Sequence, residues 1–387
     1  MRSPVRRSRL LALVAVLATA IACSSPPTSE EDGQDGGGTT DGQGGGELTD
    51  VTPRLEEIYA ELEGLDPEAR RERLIELAAE EGGSFDAYGS TNLDDIFPML
   101  DEFTDATGID VNYYRASSSD ILQRVLQEAD ANFPGADLVF TNGPELSVID
   151  REGLLAPLNS PVTEDVDDEG VFDTWVWLYL NTFVGSWNTD RVSSGPATWE
   201  DLLAYGEGLA LEVGDFDWFA TLVKTYFMEG QGMSEEEAVD LFRQAANGAA
   251  LVDGHTLMAE LLAAGEYDVS ASTYLHRILQ LKGDEAPVEW EGGPEPIIIR
   301  PNGIGIHRYA VRPASALLFL EFMLTDAQQL LLDIDRQPAS AGIEGGGIPE
   351  GVETLVVDLA ALLDEREKWE GLWEEIIEGS GGEVIED

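Results

Sequence analysis

Residues 100–146 read LDEFTDATGIDVNYYRASSSDILQRVLQEADANFPGADLVFTNGPEL, and the alternation inside this stretch decides the fold. Leu93, Ile96, Phe97, Leu100 and Phe103 recur at helical spacing on the way into it, and Gly108 ends that helix. Pro98 predicts a kink there or a later start. IDVNYYR (109–115) is β-branched and aromatic, which predicts a strand. SSSDILQRVLQEADANF (117–133) is a capped helix with Ile121, Leu122, Val125, Leu126 and Ala129 on one face. ADLVF (136–140) is short and apolar enough for a strand buried on both faces. TNGPELSVIDREGLL (141–155) turns into another helix, and upstream SFDAYGS (84–90) is a strand ending in small residues. Three strand–helix repeats predict a parallel, helix-flanked α/β sheet with right-handed crossovers.

In such sheets ligands lie beyond the carboxyl ends of the strands. The residues at those ends are Ser90, Thr91 and Asn92, then Arg115, Ser117 and Ser118, then Thr141, Asn142 and Gly143. Each alone serves as a helix cap. Three consecutive turns of hydroxyls and amides, each opening a helix whose free N–H groups favour anions, read together as a ligand-facing rim. Tyr113 and Tyr114 form a doublet, but alternation along a strand sends them to opposite faces.

A second unit follows. FVGSWNTDRV (183–192) leaves the first sheet near residue 185, and EPIIIRPNGIGIHR (295–308) regains it near residue 303. Between them come a turn and helix (TWEDLLAYG, 198–206), a strand, turn and helix (210–227), an amphipathic helix (235–249) and a loop, helix and strand (253–274). Two strands crossing between two α/β lobes form a hinge with a cleft between them. The expected boundaries are 84–185 with 304–387 for the first lobe and 186–303 for the second, and a charged helical extension over 51–83 precedes them. Candidate ligand residues of the second lobe are Asp217 and Trp218 in DFDWF, His255 in DGHT, Tyr274 and Arg300. Trp218 also reads as a core side chain, and His255 as a neighbour of a helix cap.

The amino end carries its own signal. Arg2, Arg6, Arg7 and Arg9 precede an apolar run from Leu10 to Ala22. That run is shorter than the roughly 20 residues a membrane span needs and has the flanks of a secretory leader. LATAIACSS (17–25) places small residues before Cys23, the only cysteine in the chain. This resembles a bacterial lipobox and implies cleavage after residue 22 and acylation of Cys23. Residues 23–50 are Gly, Ser, Thr and Asp with little to bury, so they predict a coil reaching roughly 25–30 Å. ALLFLEFML (316–324) is too short to span a membrane and reads as a core helix.

With the leader's four arginines set aside, 18 basic side chains face 76 acidic ones. Such a surface repels nucleic acid and anionic lipid, and it stays soluble in high salt. The absence of cysteine after Cys23 excludes internal disulfides, so stability comes from the core. No GxSxG, no HExxH and no Cys/His pairing is present, and the three histidines, His255, His276 and His307, are scattered. A secreted hydrolase stays open as a rival class because any two of so many carboxylates can be nominated as an acid/base pair. A surface receptor or adhesin on the same fold is a third.

AYGSTN (87–92), the stretch at 100–146, REGLLAPLNSP (151–161), WNTDRV (187–192), TWEDLL, AGEYDV (264–269) and RPNGIGI (300–306) resemble the extracellular solute-binding proteins of ABC importers. The likeness covers about residues 84–335 and is to the group labelled the periplasmic component of ferric-iron transport. It implies the type II periplasmic-binding architecture, two doubly wound α/β lobes joined by a two-strand hinge, closing on a solute and docking on a membrane permease. It implies no chemistry on the solute and no cofactor. The expected partners are a small-molecule solute, a permease and, through the lipid, the outer face of the cell membrane, with the chain a monomer. Iron-binding members hold the metal through a histidine after the first strand and adjacent tyrosines in the second lobe. Here GSTN puts Thr91 or Asn92 where that histidine would be, and STYLHR keeps Tyr274 but has Leu275 beside it. A metal set of Tyr274, His255 and Asp217 stays open. An anionic or hydroxylated organic solute is the leading expectation, because Arg115 and Arg300 can grip carboxylate or phosphate.

Overall fold

Hydrophobic side chains at helical spacing, switching to β-branched and aromatic runs, build the first half of the sheet. The computed structural model describes residues 48–340, 343 and 348–386. The expected leader, Cys23 and nearly all of the expected coil lie outside the described residues.

Two helices open the described chain, α1 (Thr52–Leu62) and α2 (Pro67–Glu80). Next come β1 (Ser84–Gly89), α3 (Leu93–Thr107), β2 (Asp110–Arg115), α4 (Ser118–Asp130), β3 (Leu138–Asn142) and α5 (Gly143–Arg151). Strand β1 lies between β2 and β3, parallel to both. Helix α3 runs through Pro98 and buries Ile96, Met99, Leu100 and Phe103. Leu93 and Phe97, expected on the same face, are exposed: Leu93 is the first residue of the helix, and Phe97 stands on the flank of that stripe.

The long strand β4 (Trp175–Asn188) enters the second half, which contains α6 (Trp199–Leu203), β5 (Leu209–Glu212), α7 (Phe216–Thr221), α8 (Glu235–Ala246), β6 (Ala250–Val252), α9 (His255–Ala264), β7 (Val269–Tyr274), α10 (Leu275–Gly283) and β8 (Val288–Glu289). A π-helical segment, Leu222–Gly230, continues α7. Strand β5 lies between β6 and β7, parallel to both, so the second half repeats the pattern of the first. The chain returns through β9 (Ile297–Ile306), then α11 (Pro313–Leu324), α12 (Asp326–Asp333), β10 (Gln337–Pro338), β11 (Thr354–Val356), α13 (Leu359–Ser380) and β12 (Val384–Ile385).

Strands β4 and β9 pair antiparallel from Trp175↔Gly305 to Phe183↔Ile298. One end of β9 pairs with β3, and the far end of β4 pairs with β7. The two strands therefore run uninterrupted from one half into the other, and residues 185 and 303 fall inside them. Asn302 and Gly303 are strand residues. A Cβ at Gly303 would lie 2.4 Å from the Trp175 ring, so the backbone can pass there only as glycine.

The helical extension is part of the body. Leu55, Ile58, Leu62, Leu74 and Leu77 are buried, and Arg70 of α2 pairs with Glu321 of α11 at 2.6 Å in a nearly dry setting. Glu81 accepts from the Ala314 and Ser315 amides at 2.9 Å and so caps α11. Every residue of α11 is buried, as a helix apolar all round requires. Among the described residues no single helix is long and apolar enough to cross a membrane.

One expectation about the lobes fails. The carboxyl-terminal segment does not belong wholly to the first: α13 packs on α7 and α8 as well as α5, and β12 pairs parallel with β6. Trp369, Trp373, Ile376 and Ile377 are the apolar side chains that draw it onto the second half.

Candidate functional site

Strand ends from both halves converge on a cavity of about 830 Å³. Its first wall is made by the openings of α3, α4 and α5, where Ser90, Asn92, Arg115, Ser117 and Asn142 line it. Ser117 caps α4 by accepting from the Asp120 amide at 3.1 Å, whereas no side chain caps α3 or α5. Arg115 donates to the Asn92 side chain at 2.9 Å. Asn92 in turn reaches across the cleft to the Thr256 hydroxyl at 3.1 Å, joining the amino end of α3 to that of α9.

The opposite wall is acidic. Glu212 ends β5, Asp217 stands in α7, Asp253 and His255 open α9, and Tyr274 ends β7. Burial pushes the Glu212 carboxyl up to about 7, and the nearby Asp215 charge adds to the rise. Burial acts to lower the His255 pKa, but Asp215 and Glu212 outweigh it and hold the imidazole above its ordinary value. His255 Nδ1 sits 2.8 Å from the Ser272 carbonyl, and Nε2 lies 3.2 Å from Asp215 Oδ1. Glu212, Asp215 and His255 bring one ligating atom each to within 4.8 Å of the others.

The floor is the crossing of β4 and β9. Arg300 donates to both Asp217 oxygens at 3.3 Å and to the Tyr274 hydroxyl at 2.7 Å, and its guanidinium lies 4.6 Å from the Phe183 ring centre. Burial pushes the Tyr274 phenol up to about 12, with Arg300 opposing, so it is neutral at ordinary pH. Burial likewise raises the Asp217 carboxyl against the pull of Arg300. Arg336 is held by Asp95 and Asn181 and lies over the Tyr179 ring.

Three expected ligand residues stand elsewhere. Thr91 is buried behind the rim, its hydroxyl 2.9 Å from that of Tyr179. Thr141 is fully buried and donates to Ser90 at 3.2 Å. Trp218 is a core side chain packed edge-on against Trp199, Phe242 and Trp373, because α7 turns it away from the cleft while presenting Asp217. Neither Tyr113 nor Tyr114 lines the cavity; Tyr113 stacks on Phe140 and donates to the Thr91 carbonyl. The metal set of Tyr274, His255 and Asp217 is divided, since Arg300 occupies both Tyr274 and Asp217.

Sequence reasoning missed Glu212, Tyr179, Asn181 and Arg336, and Glu370, Trp373 and Glu374 of α13, all of which line the cavity, and Asp215, which stands beside Glu212 and His255. Glu212 was findable, since it follows a short apolar strand exactly where the first unit's rim residues follow theirs. Arg336 and the α13 residues come from a segment whose path has no local signature.

The comparisons with known proteins agree with this geometry. No curated protein matches the chain by sequence. Similar solved structures include AfuA from Actinobacillus pleuropneumoniae with fructose-6-phosphate bound, at 19% identity over 77% of this chain and 99% of that one, with a TM-score of 0.67. Iron-bound HitA from Pseudomonas aeruginosa is 18% identical over 76% and 99%, with a TM-score of 0.65. AgtB from A. tumefaciens R10, in complex with agropinic acid, is 14% identical over 77% and 99%, with a TM-score of 0.64. These likenesses show the type II periplasmic-binding fold. The family described as bacterial extracellular solute-binding protein matches residues 90–330. With most of the folded body inside that match, the chain belongs to the bacterial extracellular solute-binding proteins, the solute-capturing partners of ABC-importer permeases.

Proposed function

We propose that the cleft captures a small bipolar organic solute, with an anionic end against the first wall and a hydroxyl-bearing end against the second, and that the chain delivers it to a permease. The observation that carries this reading is the split in the walls. One side offers helix openings, serine hydroxyls and the Arg115 guanidinium; the other offers Glu212, Asp217 and Asp253. Helix amino ends and arginine favour phosphate or carboxylate. Carboxylates accept from hydroxyls. The solutes of AfuA and AgtB, a sugar phosphate and agropinic acid, are of this kind.

Arg300 and Arg336 do not serve as free anion grips, since each is already paired with a carboxylate. The anionic end therefore falls to Arg115. Ferric iron or an iron complex is the second reading, favoured by the likeness to iron-bound HitA and weakened by the bond from Arg300 to Tyr274. The leader and Cys23 support anchorage by acyl chains at the outer face of the membrane, with the body a monomer and residues 84–185 and 186–303 the cores of its two lobes.

A thermal-shift and calorimetry panel of sugar phosphates, hydroxy acids, phosphonates and ferric citrate tests the reading. A true solute at a hundredfold excess over Kd stabilises by about 2.7 kcal/mol. We expect a shift of several degrees with one anionic, hydroxylated class, and its loss in Arg115→Ala. A shift with ferric citrate alone, or full binding in Arg115→Ala, overturns it.

A further inference from the structure

We propose that Glu212, Asp215 and His255 form a divalent-cation site in the second wall of the cleft, of a kind suited to zinc or manganese. This goes beyond the solute reading and does not depend on it.

The argument starts from one hydrogen bond. A carbonyl oxygen only accepts, so the Ser272 carbonyl, 2.8 Å from His255 Nδ1, fixes the proton on that nitrogen. Metal-binding imidazoles are usually held in this way by an acceptor on their other nitrogen. Nε2 is left pointing at Asp215 Oδ1, 3.2 Å away. Asp215 is fully buried, and its Oδ1 has no polar partner among the described residues other than this imidazole. Its other oxygen accepts from the Ser272 hydroxyl, which sets the carboxylate's orientation.

Glu212 completes the set. Its two oxygens accept from the Gly214 amide at 2.7 Å and the Gly254 amide at 3.1 Å, which steadies the carboxylate and leaves a lone pair free on each oxygen. Nε2 facing that carboxylate oxygen, with a second buried carboxylate alongside, needs a positive charge at the centre of the cluster, and a bound cation or a proton on the imidazole supplies it. Arg300 does not supply it, because its guanidinium pairs with Asp217 and Tyr274 and makes no ion pair with Glu212 or Asp215 among the described residues. The spacing suits a metal. Ligands about 2.1 Å from an ion and a right angle apart are about 3 Å from each other. Two carboxylates and one imidazole suit zinc, manganese and their neighbours better than a soft ion. Glu212 and His255 line the cavity, so a remaining coordination position opens toward the cleft, where water or a solute oxygen can enter.

The test uses chelator-stripped protein without added solute. Zinc or manganese is titrated in excess magnesium, which occupies the many surface carboxylates, and zinc X-ray absorption reads the coordination shell. The expected result is one tight site per chain with oxygens and a single imidazole. Asp215→Asn and His255→Gln should each weaken it by a hundredfold or so, while His276→Gln leaves it intact. Absence of uptake above the magnesium-competed background, a shell without imidazole, or unchanged affinity in folded variants overturns the proposal; should a variant not fold, the wild-type shell decides. Absence of uptake would mean that a proton holds the cluster together. Since no solute is present, the outcome is separate from that of the Arg115 experiment.

Discussion

Arg300 decides the charge balance of the cleft floor. Its side chain is only 8% exposed, and that of Asp217, 3.3 Å away, only 1%. Removing the carboxylate leaves a buried, always-charged guanidinium without its counter-ion, which costs about 3–5 kcal/mol. Asp217→Ala is therefore expected to lower the urea midpoint by that equivalent, and a loss under 1 kcal/mol would show that the pair is solvated. Legibility at this scale followed position more than residue type. Arg115 and Ser117 could be read because they sit at the end of a strand that the sequence marks clearly. Trp218 could not, since an aromatic between two carboxylates reads equally as a solute platform or a core wedge, and only the packing of Phe242 and Trp373 decides it. Asp215 was hidden by sheer abundance: among 76 acidic side chains one more carboxylate carries no signal.

At the scale of the element, the first three strand–helix repeats were legible because period and punctuation agree there, with Gly108 closing α3 in a left-handed conformation. Among the described residues one side-chain hydrogen bond, from Asn92 to Thr256, joins the openings of α3 and α9. Losing that bond costs about 0.5–1.5 kcal/mol. Thr256→Ala should weaken solute binding up to about tenfold and raise the radius of gyration of the solute-free protein in X-ray scattering; an unchanged affinity would show that the bond does not favour closure. The turn after β9 carries a pH response. Burial lowers the His307 imidazole to about 4, against a weaker opposing effect of Asp137. The unfolded imidazole titrates near about 6.5, so in that window the unfolded chain holds the extra proton and stability falls as pH falls. The slope from this group approaches 1.4 kcal/mol per pH unit or so. His307→Gln should flatten the stability profile between about pH 6.5 and 4; an identical slope would show that other groups control it.

For the whole molecule, the formal charge of −54 is the dominant fact. Like charges spread over a compact body repel, and salt shortens the reach of that repulsion to about 10 Å at 0.1 M and 3 Å at 1 M. The melting temperature is expected to climb by several degrees between low salt and molar sodium chloride, and a flat profile would show that the charges are already balanced locally. The two-part architecture was legible from composition and order because β4 and β9 are long apolar strands far apart in sequence. The placement of residues after 340 was not, since β11 and β12 are too short to announce themselves and find their partners only once the sheet exists.

That late placement has a mechanical consequence. Helix α13 is fastened to α5 by Arg366 and Glu145 at 2.8 Å, to the segment after α7 by Lys224 and Glu365, and to the start of α8 by Lys368 and Glu235, both at 2.6 Å. It acts as a tie-bar bolted on either side of the gap, and any wide swing must first tear one set of bolts. Replacing Lys224 or Lys368 is thus a way to loosen the tie without touching a single group that lines the cavity.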